Sequence, residues 1–135
     1  MKILVMDAQG GGIGKQLVAE IKKNLQSADI TAVGTNTVAT SAMLKAGADR
    51  AATGENAVVV NSRWADVIIG PIGIVIADAM LGEITPAMAN AVSQSRAKRI
   101  LIPVNHCDNI VVGVADLNIA KLIQAVIEEL RKYGL

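Results

Sequence analysis

The amino-terminal segment, up to Leu25, carries the pattern that most constrains the fold. An apolar run over residues 2–6 ends at Asp7, and a glycine-rich loop follows, Gly10-Gly11-Gly12-Ile13-Gly14. Apolar residues then recur at helical spacing from Ile13 to Leu25, with charged residues on the other face. This order predicts a strand, a tight loop and an amphipathic helix, the opening unit of a parallel α/β sheet.

Strands and helices continue to alternate along the rest of the chain. Strands are predicted at about 30–34, 49–52, 65–70 and 100–104, and helices at about 37–45, 72–81, 85–95 and 119–130. Residues 57–60 fit a strand by composition, but their place just before another strand favours a helix. Asn36 or Thr37, Thr85 and Asp116 are the predicted helix caps.

One more apolar run, Ile110–Val114, begins only a few residues after the preceding strand. A parallel crossover needs a dozen or more residues, so this run is predicted to form an antiparallel strand at the sheet edge. The sequence therefore predicts one α/β domain over residues 1–135. Its architecture is a Rossmann-like three-layer sandwich with a mostly parallel sheet.

Composition narrows the class of protein and its partners. The chain is 52% apolar but has no Phe, one Trp and one Tyr, which predicts an aliphatic core and an apolar excess covered in a homo-oligomer, a dimer being favoured. A net charge of +1 gives no reason to expect nucleic acid as a partner. No apolar stretch is long enough for a membrane span or a signal peptide, so a soluble, cytoplasmic protein is expected. A single cysteine, Cys107, excludes a disulfide framework and a multi-cysteine metal site.

The glycine loop resembles two phosphate-binding loops in part. The strict G-x-G-x-x-G spacing fails, because Lys15 stands where the third glycine should be, whereas the G-x-x-x-G-I-G loop of short-chain dehydrogenases fits if Ala8 replaces its first glycine. Gly14-Lys15 also resembles a P-loop, but Gln16 replaces the hydroxyl that holds magnesium. The loop predicts a phosphate-bearing nucleotide; a glycine turn that only packs helix against strand is the alternative. The predicted ligand-binding residues here are Asp7, Gln9, Gly10, Gly11, Gly12, Ile13 and Gly14.

Two further segments are predicted to face the same crevice. After the second strand, NAD sites usually carry an acid, but this chain has Thr35-Asn36-Thr37, which favours NADP over NAD because these groups could accept a phosphate. The same residues could serve only to cap a helix. Gly70-Pro71-Ile72-Gly73 follows the strand predicted at 65–70 and is predicted to lie beside the loop. Asp7 could lie near the phosphates or bond the loop amides and shape them.

Catalytic residues are not assigned by the sequence. Asn105-His106-Cys107-Asp108 brings together a nucleophile, a base and a carboxylate, but adjacent residues do not point at each other. No Tyr-x-x-x-Lys pair exists, and the only tyrosine is Tyr133. The open hypotheses are a nucleotide-binding protein without catalysis, a small NAD(P)-dependent reductase completed in a dimer, a P-loop-like phosphate binder and a structural subunit.

Several stretches resemble an uncharacterised family of short bacterial proteins, found notably in clostridia and known only as a domain of unknown function. The resemblance extends over nearly the whole chain and implies a Rossmann-like fold but no activity. It is carried by Gly10–Lys15, Gly34–Asn36, Ala39–Ala48, Ala52–Asn56, Gly70–Gly73 and Gly82–Pro86.

Overall fold

A computed structural model describes residues 1–104, 108–114 and 118–134. Five strands alternate with helices in these residues. The strands are β1 (Lys2–Asp7), β2 (Asp29–Gly34), β3 (Arg50–Thr53), β4 (Val67–Pro71) and β5 (Lys98–Ile102). The helices are α1 (Gly12–Asn24), α2 (Thr37–Lys45), α3 (Glu55–Trp64), α4 (Pro86–Gln94) and α5 (Ile119–Arg131), and a 3-10 turn, Ile72–Val75, follows β4.

The sheet is parallel throughout, in the order β3-β2-β1-β4-β5. The order reverses between β1 and β4, which creates the topological switch point at which open α/β sheets bind ligands. Asp7 is the register partner of Gly34, and Val5 is that of Ile69. The loops after β1, β2 and β4 therefore emerge at the same edge.

Alternate residues of each strand enter two separate cores. Ile3 and Val5 pack on one face with α1, α2 and α5, whereas Leu4 and Met6 pack on the other with α3 and α4. The side chains in both cores are aliphatic. The predicted Rossmann-like α/β sandwich is confirmed. So are the third strand and the helical assignment of residues 57–60, which lie inside α3.

The predicted antiparallel edge strand is wrong. Residues 110–114 form turns and irregular backbone, and within the described residues the sheet ends at β5. Asp108, before the segment, and Gly113, within it, have φ angles of 62° and 91°, and such positive angles interrupt the extended conformation that strand pairing needs. Ile110 and Val112 are also largely exposed, which leaves no second layer to bury such a strand.

The predicted helix over residues 72–81 is wrong as well. Only the 3-10 turn forms, and residues 76–84, which we name the strap, then follow a series of turns. Asp78, Met80 and Leu81 all have positive φ, which a right-handed helix excludes. The strap still buries Ala79, Met80 and Ile84, so its apolar character serves a compact loop rather than a helix.

The helix caps agree with the sequence where they can be compared. The side chain of Asn36 accepts a hydrogen bond from Ala39 N–H, and that of Thr85 accepts one from Met88 N–H, with Pro86 in the first turn. Asn118 caps α5 through Lys121 N–H, whereas the predicted cap Asp116 lies outside the described residues. No helix in the described ranges is long and apolar enough to cross a membrane.

Candidate functional site

The carboxyl ends of β1 and β2 carry most of the predicted ligand-binding residues. Asp7 ends β1, and Thr35 follows β2, where its N–H donates to the carbonyl of Asp7 at 3.1 Å. The glycine loop leads from Asp7 into α1, whose N-cap is Gly11. The structure therefore brings the glycine loop and the end of β2 into direct contact.

Asp7 is buried under the glycine loop and accepts hydrogen bonds from its backbone. It is 3% exposed, and its two carboxylate oxygens accept hydrogen bonds from Ala8 N–H at 2.8 Å and Gly14 N–H at 2.7 Å. Burial raises the pKa of Asp7 above its ordinary value; the bonds from Gly14 and Ala8 oppose this, and the charge of Glu83 adds to it. The structure shows the second of the two roles predicted for Asp7, as a partner of the loop amides, whereas its place near a phosphate stays a prediction.

Two of the loop glycines are required by packing. Gly11 has a φ of 73°, and a Cβ there would lie 2.7 Å from the Cα of Ala39 in α2. A Cβ on Gly14 would lie 2.5 Å from the sulfur of Met43 and 2.9 Å from the Cβ of Asp7. Because neither position carries a side chain, α1 can pack closely on β1 and α2. Packing alone therefore explains both glycines.

The other two glycines have no packing reason. A Cβ built on Gly10 or Gly12 meets nothing within 4 Å, and neither residue has positive φ. The N–H groups of both form no hydrogen bond with another described residue. The loop thus presents two bare backbone donors at the start of a helix, in open space, an arrangement that suits an anionic oxygen.

Glu83, a residue of the strap, is the main addition that the structure makes to the site. Its Oε1 accepts hydrogen bonds from Gln9 N–H at 2.9 Å, from the Thr35 hydroxyl at 2.7 Å and from the Asn36 amide at 2.7 Å. Asn36 also donates to the carbonyl of Gln9 at 2.9 Å. The carboxylate therefore joins the glycine loop, the end of β2 and the strap.

Glu83 is held in its ionised form. Its partial burial raises its pKa, but the three donors, Gln9 N–H, Thr35 and Asn36, outweigh this and leave the pKa below its ordinary value. An anion at Thr35 and Asn36 would meet this negative charge. Thr37 is exposed at the start of α2 and is not among the groups that bond Glu83.

The segment Gly70-Pro71-Ile72-Gly73 lies where the sequence predicts, at the end of β4 beside β1. A Cβ on Gly70 would lie 2.4 Å from the carbonyl oxygen of Met6, so this glycine is required by strand packing. Pro71 and Gly73 are buried, and only Ile72 is partly exposed. The segment therefore lies at the same edge of the sheet as the glycine loop and offers no charged group to a ligand.

Sequence reasoning missed Glu83, although Gly82–Pro86 is one of the stretches that carry the family resemblance. No spacing rule connects an acid after β4 to the end of β2. Asn105, His106 and Cys107 lie outside the described residues, so their hypothetical catalytic role stays a prediction. In the part of the chain that is described, no three His, Cys, Asp or Glu side chains are grouped closely enough to hold a metal ion.

Comparison with known proteins gives a family but no activity. None of the curated proteins matches the chain. Among solved structures, a dodecameric FMN-dependent UbiX-like decarboxylase from Escherichia coli O157:H7 is similar to 95% of this chain and 75% of its own, at 16% sequence identity and a TM-score of 0.46. The family model described as "Domain of unknown function (DUF3842)" matches residues 2–134, and the chain therefore belongs to that family.

Proposed function

We propose that this protein binds a phosphate-bearing nucleotide at the loop Gly10–Gly14. The observation that carries the proposal is the division among its glycines. Gly11 and Gly14 are explained by packing, whereas Gly10 and Gly12 are bare in open space with free N–H groups. A side chain at either position would cover the backbone donors without any conflict with the fold, so a ligand that approaches the backbone gives these glycines a purpose.

A phosphate fits the donors of the loop better than an uncharged group does. Gly12 begins α1, where the helix dipole favours negative charge. Lys15 is exposed on the first turn and forms no ion pair with a described residue, so it can neutralise part of that charge. The negative charge of Glu83 lies on the β2 side of the loop, which directs the phosphate toward Gly12 and Lys15.

A thermal-shift panel tests the proposal. NAD⁺, NADP⁺, ATP, GTP, FMN and cyclic nucleotides are added to the wild type, to Gly12→Val and to Ala19→Val, a control on the exposed face of α1. We expect one class of nucleotide to raise Tm by several degrees, since a ligand at a hundred times its Kd stabilises by about 2.7 kcal/mol. The shift should persist in Ala19→Val and disappear in Gly12→Val.

No shift with any nucleotide, together with no nucleotide bound in native mass spectrometry, would contradict the proposal. Such a result would favour the structural subunit. If NAD⁺ or NADP⁺ binds, a hydride-transfer assay separates a reductase from a binding protein without catalysis.

We also propose that the protein forms a homo-oligomer. Three aliphatic side chains among the described residues, Leu81, Ile110 and Val112, are 98%, 88% and 93% exposed. Single apolar side chains on a surface are ordinary, but nearly complete exposure of Ile110 and Val112 within one segment favours burial against a second copy.

A further inference from the structure

From the contacts of Glu83 we infer that this residue selects ribose with free hydroxyls and rejects ribose that carries a 2′-phosphate. The inference rests on the proposed function and deepens it. It also reverses the expectation from the sequence, which favours NADP because no acid follows β2. The fold supplies that acid from the strap instead.

The two oxygens of the Glu83 carboxylate have different roles. Oε1 accepts all three hydrogen bonds, from Gln9 N–H, Thr35 and Asn36, and these fix the orientation of the group. Oε2 accepts no hydrogen bond from a described residue. An oriented carboxylate with one free oxygen is an acceptor for neighbouring hydroxyl donors, and the 2′- and 3′-hydroxyls of ribose are such donors.

The position of the carboxylate suits this role. Gln9 belongs to the loop proposed to hold the phosphate, and Thr35 and Asn36 follow the adjacent strand β2. In dinucleotide-binding folds, the ribose next to the pyrophosphate lies between these two places. Glu83 therefore lies within reach of the sugar of a nucleotide whose phosphate occupies the loop.

A 2′-phosphate is disfavoured for two reasons. The Thr35 hydroxyl and the Asn36 amide, which could otherwise bind it, already donate to Glu83. The ionised carboxylate would also lie beside a second anion, and no Lys or Arg bonds Glu83 among the described residues to offset the repulsion.

The test compares ligands that differ only at the sugar. Isothermal titration calorimetry compares the affinities of the four ribonucleoside 5′-monophosphates with those of their 2′-deoxy counterparts, and the affinity of NAD⁺ with that of NADP⁺. For each ribonucleotide that binds, we expect the deoxy form to bind about tenfold more weakly, as for loss of one hydrogen bond to a charged group. NADP⁺ should bind more weakly than NAD⁺.

Two variants show whether Glu83 is responsible. Glu83→Gln keeps one oxygen for the three donors and places an amide N–H₂ where Oε2 stands, so it should remove the ribose preference and strengthen NADP⁺ binding. Asp78→Asn removes an acid from the same strap without touching Gln9, Thr35 or Asn36, and should leave the preference unchanged. A purely structural role of Glu83 would weaken ribose and deoxyribose ligands equally.

Each outcome decides the inference. Equal affinity for ribose and deoxyribose ligands, or NADP⁺ binding as tightly as NAD⁺, would overturn the role of Glu83 and leave the proposed nucleotide site standing. Absence of binding by every nucleotide would overturn both. The wild-type comparison is decisive by itself, so the test does not depend on whether Glu83→Gln folds.

Discussion

Packing requires Gly11 but not its neighbour Gly12, so substitution of the two residues should change the stability of the fold differently. Gly11→Ala places a Cβ against the backbone of Ala39 at a φ of 73°, so we expect a loss of about 2–4 kcal/mol of unfolding free energy. Gly12→Ala meets nothing and lies in the first turn of α1, so we expect a change between zero and a gain of about 1 kcal/mol.

Urea unfolding followed by far-UV circular dichroism measures both variants against the wild type. A loss in Gly12→Ala as large as that in Gly11→Ala would show that Gly12, like Gly11, is required by the fold. That result would also remove the main support for a ligand at the loop.

The pKa values of the two carboxylates of the site are expected to shift in opposite directions. Burial raises the pKa of Asp7 above 3.8, so the folded chain holds this proton more tightly than the unfolded chain. The stability that Asp7 contributes is then fully present below the unfolded pKa and is lost as pH rises through the folded pKa. Partial burial also raises the pKa of Glu83, but its hydrogen bonds outweigh this and lower the pKa below 4.5. The stability that Glu83 contributes is therefore present above the unfolded pKa and lost as pH falls through the folded pKa.

Carbon-13 NMR titration of the side-chain carboxyls measures both midpoints in one sample. We expect the midpoint of Asp7 above 3.8 and that of Glu83 below 4.5. A midpoint for Asp7 at or below 3.8 would mean that the N–H bonds from Ala8 and Gly14 outweigh its desolvation, and that the carboxylate is a stabilising cap in its charged form.

At the scale of elements, the strap combines unfavourable backbone with useful packing. Leu81 has a φ of 58° and is 98% exposed, so Leu81→Gly should relieve the left-handed backbone and raise the unfolding free energy by up to about 1 kcal/mol. Met80 has a φ of 56° but is buried, so Met80→Gly should lower the unfolding free energy by about 2 kcal/mol or more.

The same urea measurement checks this pair. Destabilisation by Leu81→Gly would indicate that the Leu81 side chain is covered in solution, as it would be in an oligomer. Repeating the measurement at several protein concentrations distinguishes that cause from loss of local structure, because only association makes stability depend on concentration.

The sequence predicts those elements whose pattern is local. The periodicity of residues 2–25 is enough for β1, the loop and α1, and Thr85-Pro86 marks the start of α4. Ile110–Val114 has the composition of a strand, but a strand also needs a partner and a covering layer, which composition does not encode. Glu83 was missed for a related reason: Gln9, Asn36 and Thr35 lie 74, 47 and 48 residues before it, and only the fold brings them together.

At the scale of the whole molecule, the strand order decides what the loops can do. The reversal between β1 and β4 leaves the loop after β1 next to the β4–α4 connection, so the strap can cross to the end of β2. Helices cover both faces of the sheet, and the aliphatic cores are closed beneath them. Among the described residues, the surfaces left for self-association are therefore the loops, the exposed helix faces and the sheet edges at β3 and β5.

Ile110 and Val112 are the side chains through which we expect copies to associate. Burying such side chains gains about 25 cal/mol per Å² of apolar surface removed from water, and both are largely exposed in the described part of the chain. Analytical ultracentrifugation at micromolar concentration should show the wild type as larger than its 14.0 kDa monomer. Replacing both residues with Ser should restore the monomer, whereas Val38→Ser, an exposed position on α2, should not.

A wild type that sediments as a monomer contradicts the oligomer. An oligomer that survives the double replacement moves the interface to another surface, where the exposed side chain of Leu81 on the strap would be the next to replace.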